Sequence, residues 1–127
     1  MMFKDELLLL VMVYILFLLV DLPYIAIMYD TYQKVIYNIQ GFEMDVKTLG
    51  FLLCYLFIAF QFYYFVVKKK MSFKDAFVLG LTSYAIYDFT TYALLDKYPL
   101  YLALIDTFWG GVLYSLVFFL MFFVFGN

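Results

Sequence analysis

The sequence predicts an all-α integral membrane protein, a four-helix bundle with its N and C termini in the cytoplasm. Hydrophobic residues fill 69% of the 127 positions and charged residues only 14%, and the mean hydropathy is +0.98. A soluble domain of this length cannot bury so much apolar surface. The apolar residues also form four segments separated by polar connections, which is typical of a multi-pass membrane protein.

Four predicted helices make up a single domain, at residues 7–28, 48–67, 72–95 and 100–125. About 20 apolar residues cross a hydrocarbon core of roughly 30 Å, because a helix rises about 1.5 Å per residue. The first apolar run is too long for a removable signal peptide and lacks a small-residue cleavage site. The connection at 29–47 mixes charged and apolar residues, which predicts an interfacial loop containing a short amphipathic helix that Gly41 ends.

Residues that are typical of helix ends mark the boundaries of the later helices. Lys68–Lys70 end the second span, and Ser72 followed by Asp75 is typical of a capping box that opens the third helix. Pro99 lies in the first turn of the fourth helix, where the missing amide donor costs little.

Lysine placement predicts the orientation. The connection between the second and third helices holds four lysines, whereas the other two connections hold two and one: Lys68, Lys69, Lys70 and Lys74, against Lys34 and Lys47, and Lys97. By the positive-inside rule the lysine-rich connection lies in the cytoplasm, and both termini lie on the same side.

Composition excludes several function classes. A net charge of −2 provides no basic surface for nucleic acid. The chain has no histidine and a single cysteine, Cys54, so a histidine-dependent triad, a disulfide framework and a thiolate metal cluster are all excluded. An enzyme is therefore less expected than a non-enzymatic membrane protein. No cofactor is expected, and the sequence defines no metal site.

Three of the predicted helices carry an aspartate inside the span: Asp21, Asp88 and Asp106. Each lies about seven residues, or about 10 Å, from the outer end of its helix, so the carboxyl groups are expected in one layer. A charged side chain at this depth is costly unless it is paired or hydrated. No lysine lies at that depth, so the aspartates are expected to face the bundle interior.

Helical spacing predicts inward stripes on the third and fourth helices. Spacings of three and four residues group Gly80, Tyr84, Tyr87, Asp88 and Thr91 on one helix, and Asp106, Trp109, Gly110 and Leu113 on the other. The small residues Gly80, Gly110 and Gly111 predict a close approach of helix backbones. Pro23 removes the backbone hydrogen bond to Leu19, which predicts a kink in the first helix beside the carboxyl layer.

These motifs resemble an uncharacterised family of predicted four-helix membrane proteins, known as domain of unknown function 2177. The resemblance rests on Tyr87-Asp88-Phe89-Thr90-Thr91, Pro99-Leu100, Asp106-Thr107-Phe108-Trp109-Gly110 and, in the first helix, Asp21-Leu22. Tyr24 stands where the family usually has tryptophan, Thr91 replaces a usual asparagine, and Pro23 is not typical. The family has no established activity, so the resemblance implies the fold and a set of polar residues.

The leading hypothesis is an acidic, aromatic-lined cavity, open to the outer face, that binds a proton, a cation or a small polar molecule. Carboxyl groups that share a low-dielectric site cannot all ionise at low cost, so such a site exchanges protons on binding. The candidate ligand-binding residues are Asp21, Asp88, Asp106, Tyr24, Tyr84, Tyr87, Thr91 and Trp109. Transport by four helices would require a homodimer or a larger membrane assembly.

The alternative is a structural subunit of a larger membrane or viral assembly. In that case the buried aspartates are protonated, bond to hydroxyl or carbonyl groups and define the helix register. The lysine cluster is then a topology anchor, and the lipid bilayer is its partner in either case.

Overall fold

Four α-helices make up the fold in the computed structural model, which describes the backbone of residues 3–125 and the side chains of residues 5–124. They are α1 (Phe3–Gln40), α2 (Thr48–Phe62), α3 (Phe73–Leu94) and α4 (Leu100–Phe125). A π-helical turn, Tyr63–Val67, continues α2. No strand occurs between residues 3 and 125. The predicted all-α fold class is confirmed, while the orientation of the termini stays a prediction.

Helix α1 is longer than the sequence predicts. It runs for 38 residues, passes through Pro23 without ending and includes residues 29–40, so the expected interfacial loop is restricted to residues 41–47. The physical reason is an apolar stripe at helical spacing that packs against Tyr98 and Leu102: Met28, Tyr32, Val35 and Ile39. Gly41, at φ +84°, follows the last helical residue, in the left-handed conformation that ends helices.

Three helical segments are long and apolar enough to cross a membrane: 5–40, 48–67 and 100–124. Helix α3 has the length, at 22 residues, but is less apolar and is not among them. Large apolar side chains cover the outside of the bundle; Ile27 is 77% exposed and Phe123 is 88% exposed. Contiguous apolar surface of this kind is stable against lipid chains, which makes the chain a multi-pass membrane protein.

Helix packing leaves two separate hydrophobic clusters. Helix α1 contacts α2 and α4, and α3 packs most extensively against α4. The larger cluster joins all four helices and is formed by Val13, Phe17, Tyr55, Ala59, Phe62, Val66, Ala76, Leu113, Tyr114, Val117 and Met121. The smaller cluster lies towards the C-terminal end of α1 and contains Val35, Tyr98, Leu102 and Ala103.

The turn between α2 and α3 has the predicted cap. Asp75 N donates to Ser72 Oγ at 3.3 Å, and Ser72 N donates to Asp75 Oδ2 at 3.1 Å, which together form the capping box. Lys70 adopts φ +53°, and Met71 N donates to the carbonyl of Val66 at 2.9 Å. This left-handed residue ends the π-helical turn and reverses the chain into α3.

Glycines allow α3 and α4 to approach closely, as predicted. A Cβ atom on Gly80 would overlap the carbonyl oxygen of Gly110 and would lie 2.5 Å from Cγ of Tyr114. A Cβ atom on Gly111 would lie 2.7 Å from Cε2 of Phe77. Backbone therefore packs against backbone and aromatic rings without intervening side chains at this interface.

Replacing Gly80 by alanine is expected to lower the stability of the bundle. The new methyl group overlaps backbone, which cannot move aside cheaply, and overpacking of this kind costs about 1–3 kcal/mol. The matched control is Gly50→Ala, since a Cβ atom at Gly50 meets nothing within 4 Å. Thermal unfolding in detergent should show a lower Tm for Gly80→Ala and no decrease for Gly50→Ala. Equal Tm values for the two variants would contradict this account of the interface.

Candidate functional site

The three aspartates predicted to share a layer are all buried inside the bundle. Asp21, Asp88 and Asp106 are 4%, 0% and 8% exposed. They come from α1, α3 and α4, between the two hydrophobic clusters. Their charges interact, since Asp106 contributes to the electrostatic environment of both Asp21 and Asp88.

A reciprocal pair of hydrogen bonds joins α1 to α4. Trp109 Nε1 donates to Asp21 Oδ1 at 2.7 Å, and the Tyr24 hydroxyl donates to Asp106 Oδ1 at 2.8 Å. The Tyr24 and Trp109 rings stack with centroids 4.7 Å apart and an interplanar angle of 5°. Each helix thus contributes an aspartate and an aromatic residue three positions later. Because the two helices run antiparallel here, each aspartate meets the aromatic residue of the other.

We name this arrangement the clasp; it is formed by Asp21, Tyr24, Asp106 and Trp109. Asp21 has hydrogen-bond donors on both of its carboxyl oxygens. Its second oxygen, Oδ2, accepts a hydrogen bond from the hydroxyl of Tyr55 on α2. Both oxygens of Asp21 therefore have a partner, which satisfies a buried carboxylate without a cation.

Asp88 has fewer hydrogen-bond donors than Asp21. Its Oδ2 accepts from Thr107 Oγ1 at 3.5 Å, the outer limit of a hydrogen bond. Its Oδ1 is buried and has no hydrogen-bond partner among the described residues. The carboxyl group of Asp106 lies near enough to affect the electrostatics of Asp88. A proton on one of two neighbouring carboxyl groups would supply a donor for the other.

The remaining predicted site residues lie outside this cluster of carboxyl groups. The Tyr84 ring covers Gly110 and packs edge-on against Tyr114, with centroids 6.4 Å apart. Tyr87 is 67% exposed, so its predicted place on the inward stripe is wrong. Thr91 Oγ1 donates to the carbonyl of Tyr87 at 2.9 Å, within its own helix. The helix rotation that buries Asp88 turns the neighbouring side chain outward.

Polar residues that the sequence did not single out complete the interior. Besides Tyr55 and Thr107, the Tyr114 hydroxyl donates to Gln61 Oε1, and Gln61 Nε2 donates to Ser83 Oγ at 2.8 Å. This chain of side chains joins α4, α2 and α3. Gln61 was detectable, because an amide inside an apolar span requires a partner. Tyr55 was not detectable, since it is one of 14 tyrosines.

The charge environment of the site is acidic. No lysine among the described residues contributes to the electrostatics of Asp21 or Asp88. No three of the described cysteine, aspartate and glutamate side chains are grouped closely enough to hold a metal ion. Neighbouring carboxyl groups in an apolar interior are chemically able to share a proton.

Removing one donor of the clasp is expected to destabilise the bundle. Trp109→Phe and Tyr24→Phe keep a stacked ring but each leave an aspartate oxygen without its donor, at a cost of about 1–3 kcal/mol. Tyr92→Phe is the matched control, because Tyr92 is 41% exposed. Unfolding in detergent should show lower stability for the first two variants only. A loss of equal size in Tyr92→Phe would show that the clasp adds nothing to the stability of the fold.

Comparison with known proteins identifies a family. The family described as "Predicted membrane protein (DUF2177)" matches residues 6–123 of the chain. Comparisons with curated proteins and with solved structures found no match.

Proposed function

The chain belongs to the DUF2177 family of predicted membrane proteins, and we propose that it binds a proton on the paired carboxyl groups of Asp88 and Asp106. The observation that carries the proposal is the buried Oδ1 of Asp88, which has no hydrogen-bond partner among the described residues and lies near the carboxyl group of Asp106. An unsatisfied carboxylate oxygen at a fully buried position costs several kcal/mol. A shared proton removes one negative charge and supplies the missing hydrogen bond at once.

The contacts of the site favour a proton over the larger ligands of the acidic-cavity hypothesis. Tyr55 and Trp109 occupy the oxygens of Asp21, and Tyr24 occupies one oxygen of Asp106. A metal ion needs several oxygens free to turn towards one point, and the described side chains provide no such group. A proton needs only two neighbouring carboxyl groups.

The surroundings favour retention of that proton. The Tyr24 ring, which stacks on Trp109, adjoins Asp106 through its hydroxyl group. The two hydrophobic clusters lie on either side of the carboxyl layer along the bundle. Apolar surroundings lower the effective dielectric constant, which makes a second negative charge more costly than a neutral acid.

A structural role is the second candidate, and the clasp supports it. Asp21 has a donor on both oxygens and defines the register of α1 against α2 and α4. A chain held in this way suits a subunit of a larger membrane assembly or a homodimer. In contrast to the protonated aspartates of the alternative drawn from the sequence, the aspartates then stay ionised and act only as hydrogen-bond acceptors. In that role the pair at Asp88 and Asp106 exchanges no proton between neutral and mildly acidic pH.

The two roles predict different pH dependence of stability. If the folded pair keeps one proton that the unfolded aspartates, with an ordinary pKa of about 3.9, release, the folded state binds more protons than the unfolded state. Stability then decreases as pH rises above that value, by about 1.4 kcal/mol per pH unit for one proton. Melting of the wild type in detergent between about pH 4.5 and about pH 8, an interval of about 3.5 units, measures this slope.

Asparagine variants test whether the pH dependence of stability arises from Asp88 and Asp106. Asp88→Asn and Asp106→Asn preserve the size of the side chain but cannot titrate, so each should remain folded and lose the dependence. Asp21→Asn should retain it, and so should Asp96→Asn, which changes an exposed aspartate in the turn after α3. A flat wild-type profile, or full dependence in both pair variants, would favour the structural role.

A further inference from the structure

The connection between α1 and α2 folds back against α1 and forms a polar groove. Met44 N donates to Gln33 Oε1 at 2.6 Å, so the chain returns along α1 after the helix ends at Gln40. Gln40 Nε2 donates to the carbonyl oxygens of Phe42 and Glu43, both at 3.1 Å. These bonds hold the connection against the helix. The groove has a volume of about 540 Å³, which is in the range of small-molecule sites.

The groove lies at the depth of lipid headgroups. The apolar span of α2 begins at Thr48, four residues after Met44, which is bonded to α1 beside the groove. On α1, the exposed Ile27 precedes the groove by two residues. Apolar surface for lipid chains therefore starts directly below the groove on both helices, and polar groups at this level face the headgroup layer.

Charges of both signs line the groove. Asp30 and Lys34 are four residues apart on α1 and so share one face of the helix, while Glu43 comes from the connection. The hydrogen bonds of this region are made by other groups and leave these three side chains without a partner among the described residues. A ligand that carries both a positive and a negative charge matches such a groove, because each of its charges finds an opposite one.

We propose that this groove binds a phosphoethanolamine group. The phosphate pairs with the ammonium group of Lys34, and the ammonium group of the ligand pairs with the carboxylates of Asp30 and Glu43. The site is separate from the carboxyl pair of Asp88 and Asp106, which lies inside the bundle, and it does not depend on proton binding there.

The groove favours a primary ammonium group over the trimethylated amine of choline. A primary ammonium donates three hydrogen bonds, whereas the choline nitrogen donates none. The acceptors that line the groove are the two carboxylates and the side-chain amide oxygen of Asn38. Tyr29 and Tyr37 also line it, and aromatic rings attract a cation in addition.

Isothermal titration calorimetry in detergent micelles tests the ligand class with three probes. These are a short-chain phosphatidylethanolamine, the phosphatidylcholine with the same chains, and soluble phosphoethanolamine. The two lipids differ only in methylation of the amine, so phosphatidylethanolamine should bind more tightly by about threefold or more. Binding of either phosphoethanolamine probe supports the site. A higher affinity for the lipid identifies the membrane as the source, and an equal or higher affinity for the soluble compound identifies a free ligand.

Exposed charges outside the groove provide matched controls for the residues of the site. Lys34→Gln and Glu43→Gln should each weaken binding of the preferred probe by about threefold or more. Lys47→Gln and Asp45→Asn change exposed charges on the same connection and should bind as the wild type does. Since all four side chains are exposed, the variants should fold alike, which their melting temperatures check. Equal affinity for the two lipids, or equal binding in each variant and its control, would overturn the proposal.

Discussion

A carboxylate oxygen buried among apolar helices must find a hydrogen-bond donor. Among the residues that the structure describes, no basic side chain contributes to the charge environment of Asp21 or Asp88. Aromatic and hydroxyl side chains supply the donors: Trp109 and Tyr55 to Asp21, and Tyr24 to Asp106. The relative positions of α1, α2 and α4 follow from these bonds. Each donor reaches its acceptor in a single helix register, whereas hydrophobic contacts alone are satisfied in several.

The rest of the architecture brings Asp88 into the same place. Gly80 and Gly110 let α3 approach α4 closely, which carries Asp88 towards Asp106. No donor among the described residues reaches Asp88 Oδ1, so this oxygen is the exception to an otherwise satisfied interior. Buried polar atoms that lack a hydrogen-bond partner are rare in native proteins and are candidates for functional positions. The clasp therefore stabilises the packing of the helices, whereas in our proposal Asp88 and Asp106 bind a proton.

Much of this was accessible from the sequence. The burial of Asp21, Asp88 and Asp106 was predicted correctly, because a carboxyl group inside an apolar span avoids contact with lipid. The expected position of Asp21 near the end of its helix was wrong, because α1 continues to Gln40. The rotation of each helix about its own axis could not be predicted, so Tyr87 was expected inside the bundle and Tyr55 was overlooked. The length of α1 was underestimated for a related reason. The charges between residues 29 and 40 masked an apolar stripe whose partner, the cluster around Tyr98, exists only in the folded bundle.

Infrared spectroscopy tests the shared proton most directly, because a neutral carboxylic acid and a carboxylate absorb at different carbonyl frequencies. The account predicts an acid band in the wild type in detergent at neutral pH, and its loss in both Asp88→Asn and Asp106→Asn. Each variant should lose it because an asparagine amide can donate to the remaining carboxylate, which then needs no proton. A wild-type spectrum with carboxylate bands alone, or an acid band that persists in both variants, would contradict the account.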